Sequence, residues 1–180
     1  MFTNTNNGEP LRLHIGGKEA KAGWKIFDII ERANVDYVGN CTDLSIFADN
    51  SVSEIYASHI LEHLGYDNDL PLALRELYRV LTPRATLRIS VPNLDVLCRL
   101  FIHPEVPPNV RFDIMRIMFG GRTDQYDVHQ TGFNLDFLSK FLTQAGFNDV
   151  QQVKEFGLFQ DASNLSILGN LISLNVTAKK

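Results

Sequence analysis

The stretch SEIYASHILEHL, residues 53–64, combines a strand pattern with an immediate turn toward a helix. Its first half, SEIYAS from Ser53 to Ser58, is predicted to be a buried strand. The polar residues Ser58 and His59 stand where that strand ends. In open α/β sheets, ligands bind beyond the carboxyl ends of the strands. The stretch therefore predicts both a sheet of this kind and one wall of a binding site.

Strand patterns recur on both sides of this stretch. They are LRLHIGG (11–17), WKIFDII (24–30), VDYVGN (35–40) and ATLRISV (85–91). Before the last of them, leucines at spacings of four, three and four share one helical face: Leu70, Leu74, Leu77 and Leu81. We predict that Pro83 ends this helix. Strands that alternate with helices indicate a mostly parallel sheet.

The last third of the chain predicts one helix and two further strands. Asn134 is a favourable N-cap, an apolar stripe follows it, and Gly146 is a typical helix stop. VQQVKEF (150–156) and LISLNVTA (171–178) then close the chain, and apolar and polar residues alternate in the second of them. This alternation favours an antiparallel hairpin near an edge of the sheet.

Composition limits the class of protein. The 180 residues suffice for one buried core, so we expect a single domain over residues 1–180. The net charge of -4 comes without a basic stripe, so no nucleic-acid partner is expected. No apolar run reaches the roughly 18 residues that a membrane span needs. MFTNTNNGEP lacks the pattern of a signal peptide, and Cys41 and Cys98 are expected to be free thiols, which favours a cytoplasmic location.

Six segments, read in order, carry a family resemblance: LHIGG followed by GW, FDI, VDYVGNCTDL, DNSVSEIYASHILEHL, ALRELYRVLTP and GFNLDFLSKFLTQAGF. Together they resemble class I S-adenosylmethionine (SAM)-dependent methyltransferases of the type 11 group, in which a short loop replaces the helix between the first two strands. The resemblance spans nearly the whole chain. It implies a Rossmann-like α/β fold with a mostly parallel seven-stranded sheet, a C-terminal antiparallel hairpin, and SAM as cofactor.

The resemblance assigns cofactor-binding roles near the first strand. Gly16 and Gly17 match the turn whose backbone amides approach the amino-acid end of SAM, where a side chain would collide. His14 lies at the foot of that turn, where the family often has an acidic or amide residue, and Lys18 replaces a common third glycine. Asp28, at the end of the second strand, matches the carboxylate that accepts hydrogen bonds from both ribose hydroxyls.

The resemblance also assigns the adenine and methionine contacts. Asp43 and Leu44 match the place that meets adenine through a side-chain acceptor and a backbone amide, although Asp43 equally fits a cap of a short helix. Ser58 and His59 are expected beside the methionine part of SAM. His59 is a candidate proton acceptor because an ordinary imidazole pKa near 6.5 suits proton transfer at neutral pH. A structural histidine at a helix start is the alternative.

HILEH, residues 59–63, also satisfies the H-x-x-E-H pattern of inverzincin metallopeptidases. In that alternative His59 and His63 bind zinc and Glu62 is the base. The motif follows a strand directly, whereas the peptidase motif lies well inside a helix. We therefore assign no metal, and expect Glu62 and His63 to face solvent or cap neighbouring groups.

Residues 93–131 extend beyond the minimal fold and are expected to cover the substrate side of the crevice. Apolar side chains between Phe112 and Phe119 fit either a lid or a helix packed on the core. His129 is a second candidate catalytic residue, with an exposed loop histidine as the alternative. The predicted function is methyl transfer to a small-molecule or sugar-like acceptor. An inactive binding or scaffolding module of the same fold is the alternative, and the oligomeric state is left open.

Overall fold

The computed structural model describes residues 10–180. The opening segment, for which we expect no signal peptide, lies outside the described residues except for Pro10. The assignment of one domain to residues 1–180 stays a prediction.

Nine strands and four α-helices follow one another along the described chain. The strands are β1 (Leu11–Ile15), β2 (Lys25–Asp28), β3 (Tyr37–Val38), β4 (Val52–Ser58), β5 (Leu81–Pro92), β6 (Asn148–Val153), β7 (Ser166–Ile167), β8 (Asn170–Leu171) and β9 (Ser173–Lys179). The helices are α1 (Asp69–Val80), α2 (Leu94–Ile102), α3 (Pro108–Phe119) and α4 (Leu135–Gln144). Two single turns of 3-10 helix cover Leu61–His63 and Ala162–Asn164.

Seven of the strands form one sheet in the order β3-β2-β1-β4-β5-β9-β6. Strands β1 to β5 are parallel, while β9 runs antiparallel to both β5 and β6. This arrangement confirms the predicted fold class. Because the strand order reverses between β1 and β4, a crevice opens at their carboxyl ends, and this is where ligands bind in doubly wound sheets.

The connection between β1 and β2 is a loop, as the family resemblance implies. Residues 16–24 contain turns and no helix. Helices α1 and α4 cover one face of the sheet, where Leu13, Ile55 and Leu87 are fully buried beneath them. On the opposite face, Trp24, Tyr56 and Phe159 form a separate aromatic cluster. The long connection between β6 and β9 therefore replaces helices on that face.

Two sequence-based expectations about the elements need correction. Helix α1 ends at Val80, and Leu81 already has the extended backbone of β5 (φ -64°, ψ 141°), so Pro83 lies inside a strand. Leu81 fits the spacing of the helical leucines because it is also buried, but it is buried as the first residue of the strand. SHILEH does not turn into an α-helix. Strand β9 runs antiparallel beside the edge strand β6, as the alternation predicts, and its buried Asn175 side chain donates to the carbonyls of Lys154 and Ser163.

The segment 93–131 contains the two helices α2 and α3. Leu97, Leu100 and Ile114 are buried between them, whereas Phe112 and Phe119 are each 59% exposed. Packing of α3 on α2 accounts for part of its apolar surface. Within residues 10–180, no helix has both the length and the apolar character needed to span a membrane.

Candidate functional site

A cavity of about 760 Å³ lies at the carboxyl ends of β1 to β4, beneath the loop 123–130. Of the nine residues predicted to bind the cofactor or to act in catalysis, six line it: His14, Gly16, Asp28, Ser58, His59 and His129. Three others, Gly17, Asp43 and Leu44, do not. The cavity also has walls that sequence reasoning missed, supplied by Arg32, by Gly39–Cys41 and by the connection 159–162.

The glycine turn after β1 is held in a conformation that disfavours side chains. Gly16 has a φ of +71°, and its amide donates to the Phe27 carbonyl at 2.8 Å. Gly17 lies behind the cavity wall, where a Cβ would approach the His14 ring to 2.6 Å. Gly16 is therefore required by its positive φ and by the Ile60 side chain, with which a Cβ would collide, while Gly17 makes room for the His14 ring.

His14 is buried beneath this turn and is only 4% exposed. Its ring centroid lies 4.0 Å from that of Phe159, and the Tyr56 ring meets it edge-on at 5.0 Å. Burial lowers the pKa of His14 to about 4, although nearby Asp161, Glu19 and Asp28 act in the opposite direction. His14 is therefore a neutral imidazole at physiological pH.

Asp28 ends β2 with its carboxylate at the cavity wall. Its Oδ1 accepts a hydrogen bond from the Ile30 amide at 2.7 Å, and its Oδ2 pairs with Arg32 Nη2 at 2.7 Å. Arg32 also donates to the Gly17 carbonyl at 3.0 Å, so it ties the glycine turn to Asp28. Each carboxylate oxygen can accept more than one hydrogen bond. Asp28 therefore keeps capacity for ligand hydroxyls.

The residues that follow β3 enter the cavity earlier in the chain than expected. Asn40 and Cys41 line it, whereas Asp43 is exposed and caps the Ser45 amide at 2.9 Å. Leu44 is fully buried, and its amide donates to Glu76 Oε2 at 2.9 Å. That amide is thus already engaged. The sequence signal for Asn40 was its place at the end of the predicted strand VDYVGN.

The backbone turns sharply after β4. His59 has a φ of +55°, in the left-handed region that non-glycine residues seldom adopt, and the single 3-10 turn Leu61–His63 follows. His59 Nδ1 lies 3.2 Å from Glu62 Oε1, and its Nε2 lies 3.1 Å from Ser173 Oγ. This geometry differs from the helix of the H-x-x-E-H peptidase motif and gives no support to that hypothesis.

Glu62 was expected to face solvent or to cap neighbouring groups, but its side chain is buried and only 1% exposed. Its backbone carbonyl accepts the amides of Gln130 at 2.7 Å and Thr131 at 3.1 Å, which anchors the loop above the cavity. His129, on that loop, places Nε2 at 4.0 Å from Glu62 Oε1, and its ring centroid lies 4.8 Å from that of His63. Three histidines therefore surround one buried carboxylate.

The histidines and the carboxylate influence one another. Burial alone would raise the pKa of Glu62, but His59, His63 and His129 outweigh it and the pKa is lowered. Burial lowers the pKa of His129, with the Glu62 charge opposing this effect. The lowered pKa keeps Glu62 ionised at neutral pH, and burial favours the neutral form of His129.

Comparison with solved structures identifies the fold. A SAM-dependent methyltransferase from Archaeoglobus fulgidus is 20% identical with a TM-score of 0.62, over 96% of this chain and 87% of that chain. A Haloferax volcanii complex of the Trm112 methyltransferase activator with a methyltransferase matches at 15% identity and a TM-score of 0.57, over 95% and 82%. Human N-acetylserotonin methyltransferase in complex with SAM matches at 16% identity and 0.53, over 95% and 47%.

These likenesses define the class: the chain has the class I, Rossmann-like methyltransferase fold. Residues 20–89 also match a family model described as a methyltransferase domain, type 11. The resemblance predicted from the segment order is therefore confirmed. A comparison with curated proteins gave no match.

Proposed function

We propose that the protein is a SAM-dependent methyltransferase that binds its cofactor along the carboxyl ends of β1, β2 and β3. One observation carries the proposal. Gly16, Asp28 and Asn40 follow three adjacent strands and line one cavity. A bare turn, a carboxylate and an amide in this order match the methionine, ribose and adenine parts of the cofactor.

The residues present suit the groups of SAM chemically. The Asp28 carboxylate would accept hydrogen bonds from the ribose hydroxyls, and such bonds to a charged acceptor are stronger than neutral ones. Asn40 and the backbone of Cys41 offer polar groups for the adenine edge. Asp43 and Leu44 lie outside the cavity, so we transfer the adenine role from them to Asn40 and Cys41. Gly16, Ser58 and His14 remain proposed neighbours of the methionine part.

The acceptor would enter on the β4 side of the cavity, where His59, Glu62 and the loop 123–130 form the wall. When bound, SAM supplies an electrophilic methyl group, and the protein must hold the acceptor in line and accept its proton. His59 and His129 are the proposed catalytic residues because both line this wall. We propose a small-molecule or sugar-like acceptor, since the chain carries no basic stripe for nucleic acid.

The surroundings of His14 favour a second candidate function. A neutral, buried imidazole stands beneath the turn where the family often has an acidic or amide residue. Such a site fits a domain that keeps the fold but serves as a binding or scaffolding module. Cys41 and Cys98 are free, which suits the proposed cytoplasmic location.

Asp28→Ala tests the cofactor site. By calorimetry we expect wild type to bind S-adenosylhomocysteine, and Asp28→Ala to weaken binding by about 1.5 to 3 kcal/mol, the scale of hydrogen bonds to a charged group. Asp36→Ala is the matched control. Asp36 also accepts a backbone amide, from Ile26 at 2.8 Å, and pairs with a cation, Lys25 at 2.7 Å, but lies outside the cavity. Equal affinities for the two folded variants would refute the ribose role.

A further inference from the structure

Glu62, His63 and His129 form a cluster at the β4 side of the cavity. One potential ligand atom from each residue lies within 4.8 Å of those from the other two. All three residues line the cavity. We propose that this cluster binds one divalent transition-metal cation, with Glu62, His63 and His129 as its protein ligands.

The Glu62 carboxylate has an incomplete set of hydrogen-bond partners. Its carboxylate is buried, yet across residues 10–180 no donor meets either oxygen in good hydrogen-bond geometry. Its nearest ionisable neighbours are the imidazole rings of His59 and His129, and no lysine or arginine of the described chain pairs with it. A buried carboxylate without donors is costly, so such groups are normally paired or coordinate metals. The site is therefore electrostatically incomplete.

The hydrogen bond of His63 indicates which of its ring nitrogens holds the proton. His63 Nδ1 lies 3.2 Å from the Val128 carbonyl, and a carbonyl can only accept. The proton therefore sits on Nδ1, which leaves the Nε2 lone pair free. Metal-binding histidines are commonly held in this way, with the second nitrogen bonded to a backbone carbonyl. The Val128 contact thus prepares His63 for coordination.

His59 is oriented differently and belongs to the outer shell. Ser173 Oγ donates to the Ala162 carbonyl at 2.7 Å, so it accepts from His59 Nε2. The other nitrogen of His59, Nδ1, faces Glu62 Oε1 at 3.2 Å. With one proton on Nε2, the ring offers Glu62 no donor, so His59 does not satisfy the carboxylate and is not a ligand in the proposed set. The proposed ligand set differs from the H-x-x-E-H peptidase pattern, in which His59 binds metal and Glu62 does not.

Two imidazoles and one carboxylate select the class of metal. This donor set is that of catalytic zinc sites and of other open first-row transition-metal sites, whereas magnesium and calcium prefer oxygen ligands. Tetrahedral zinc would draw its ligand atoms to about 3.3 Å from one another, given bonds near 2.0 to 2.1 Å. That contraction of about 1.5 Å at most is within reach of side-chain rotations. The remaining coordination positions would face the cavity.

The inference goes beyond the proposed function and does not depend on it, because metal binding is measurable without SAM. If methyl transfer occurs in the same cavity, the cation would lie on the acceptor side and could hold an acceptor oxygen. A bound cation lowers the pKa of a coordinated hydroxyl or water. His129 would then act as a ligand and not as a base.

The test is metal uptake by the full chain after chelator treatment. We expect wild type to retain one equivalent of zinc after equilibration and gel filtration, and to give visible absorption bands with cobalt(II). His63→Ala and His129→Ala should each weaken zinc binding by more than about 100-fold, because loss of an outer-shell partner alone costs about 10 to 100-fold. Millimolar magnesium should not compete. Glu62→Gln, a nearly isosteric change, should also lose zinc, and circular dichroism would verify folding of each variant.

His103→Ala is the matched control, since His103 is exposed and lies outside the cavity. It should retain zinc with wild-type affinity. The proposal is overturned if wild type retains no zinc, if folded His63→Ala and His129→Ala both bind as wild type does, or if His103→Ala loses the metal. Retention in His129→Ala together with loss in His59→Ala would also overturn it, in favour of the H-x-x-E-H set.

Discussion

At position 14, burial changes the chemistry that the residue type alone would predict. His14 keeps a pKa of about 4 in the folded protein because of burial, against an ordinary value of 6.5. As the pH falls below 6.5, the unfolded chain takes up a proton on His14 that the folded chain does not. The free energy of unfolding therefore decreases as the pH falls from about 6.5 toward 4. The contribution of the neutral His14 to stability is fully present above this range.

Between pH 7 and pH 5 we expect the protonation of His14 in the unfolded chain to lower the free energy of unfolding by about 2 kcal/mol, since one pKa unit corresponds to about 1.4 kcal/mol. His14→Asn should flatten the pH dependence of urea unfolding by that amount. Asp161, Glu19 and Asp28 face His14 and oppose the effect, but they are present in both proteins. His103→Asn, an exposed substitution, is the control. Parallel profiles for wild type and His14→Asn would contradict the assignment of a neutral buried His14.

Residue chemistry also shows where sequence reasoning reached its limit. Asp28 could be placed at the cavity from its position at a strand end alone. Glu62 could not, because its burial depends on the left-handed backbone of His59 and on a loop that returns more than 60 residues later. The grouping of His129 with Glu62 has no local sequence signal. Only the fold brings them together.

Among the elements, α4 was predictable from local signals because its cap and apolar stripe agree. Asn134 precedes it and accepts the Phe137 amide at 2.9 Å, while Leu138 and Leu142 are buried. The end of α1 was not predictable from local signals, since Leu81 fits both the helical spacing of the leucines and a buried position in a strand. A local pattern therefore decides an element only where caps and periodicity point to the same boundary.

Asn134→Ala should lower the free energy of unfolding by about 1 kcal/mol, the usual cost of removing an N-cap side chain. The Phe137 amide would lose its acceptor within the helix start. Gln144→Ala is the control, because Gln144 is exposed at the other end of α4 and caps nothing among the described residues. Denaturant titration of both variants compares the two ends. A loss as large in Gln144→Ala would show that the cap is not responsible.

For the whole molecule, the loop between β1 and β2 determines which nucleotide cofactor can bind. A dinucleotide such as NAD places its pyrophosphate on the N-terminus of a helix that follows the first strand. Residues 16–24 form no helix, so no helix N-terminus follows β1 at this place. SAM carries no phosphate and needs only the bare turn and the polar residues at the strand ends.

S-adenosylhomocysteine should therefore raise the melting temperature, while NAD should not. A ligand present at 100 times its Kd, and bound only by the folded state, stabilises it by about 2.7 kcal/mol. For a chain of 180 residues this corresponds to a shift of roughly 5 to 10 °C. Differential scanning fluorimetry with each ligand over a concentration series measures the shift, and Asp28→Ala should move the curve to higher concentrations. Equal shifts with both ligands, or none at saturating S-adenosylhomocysteine, would remove the cofactor assignment, because any ligand specific to the folded state must stabilise it.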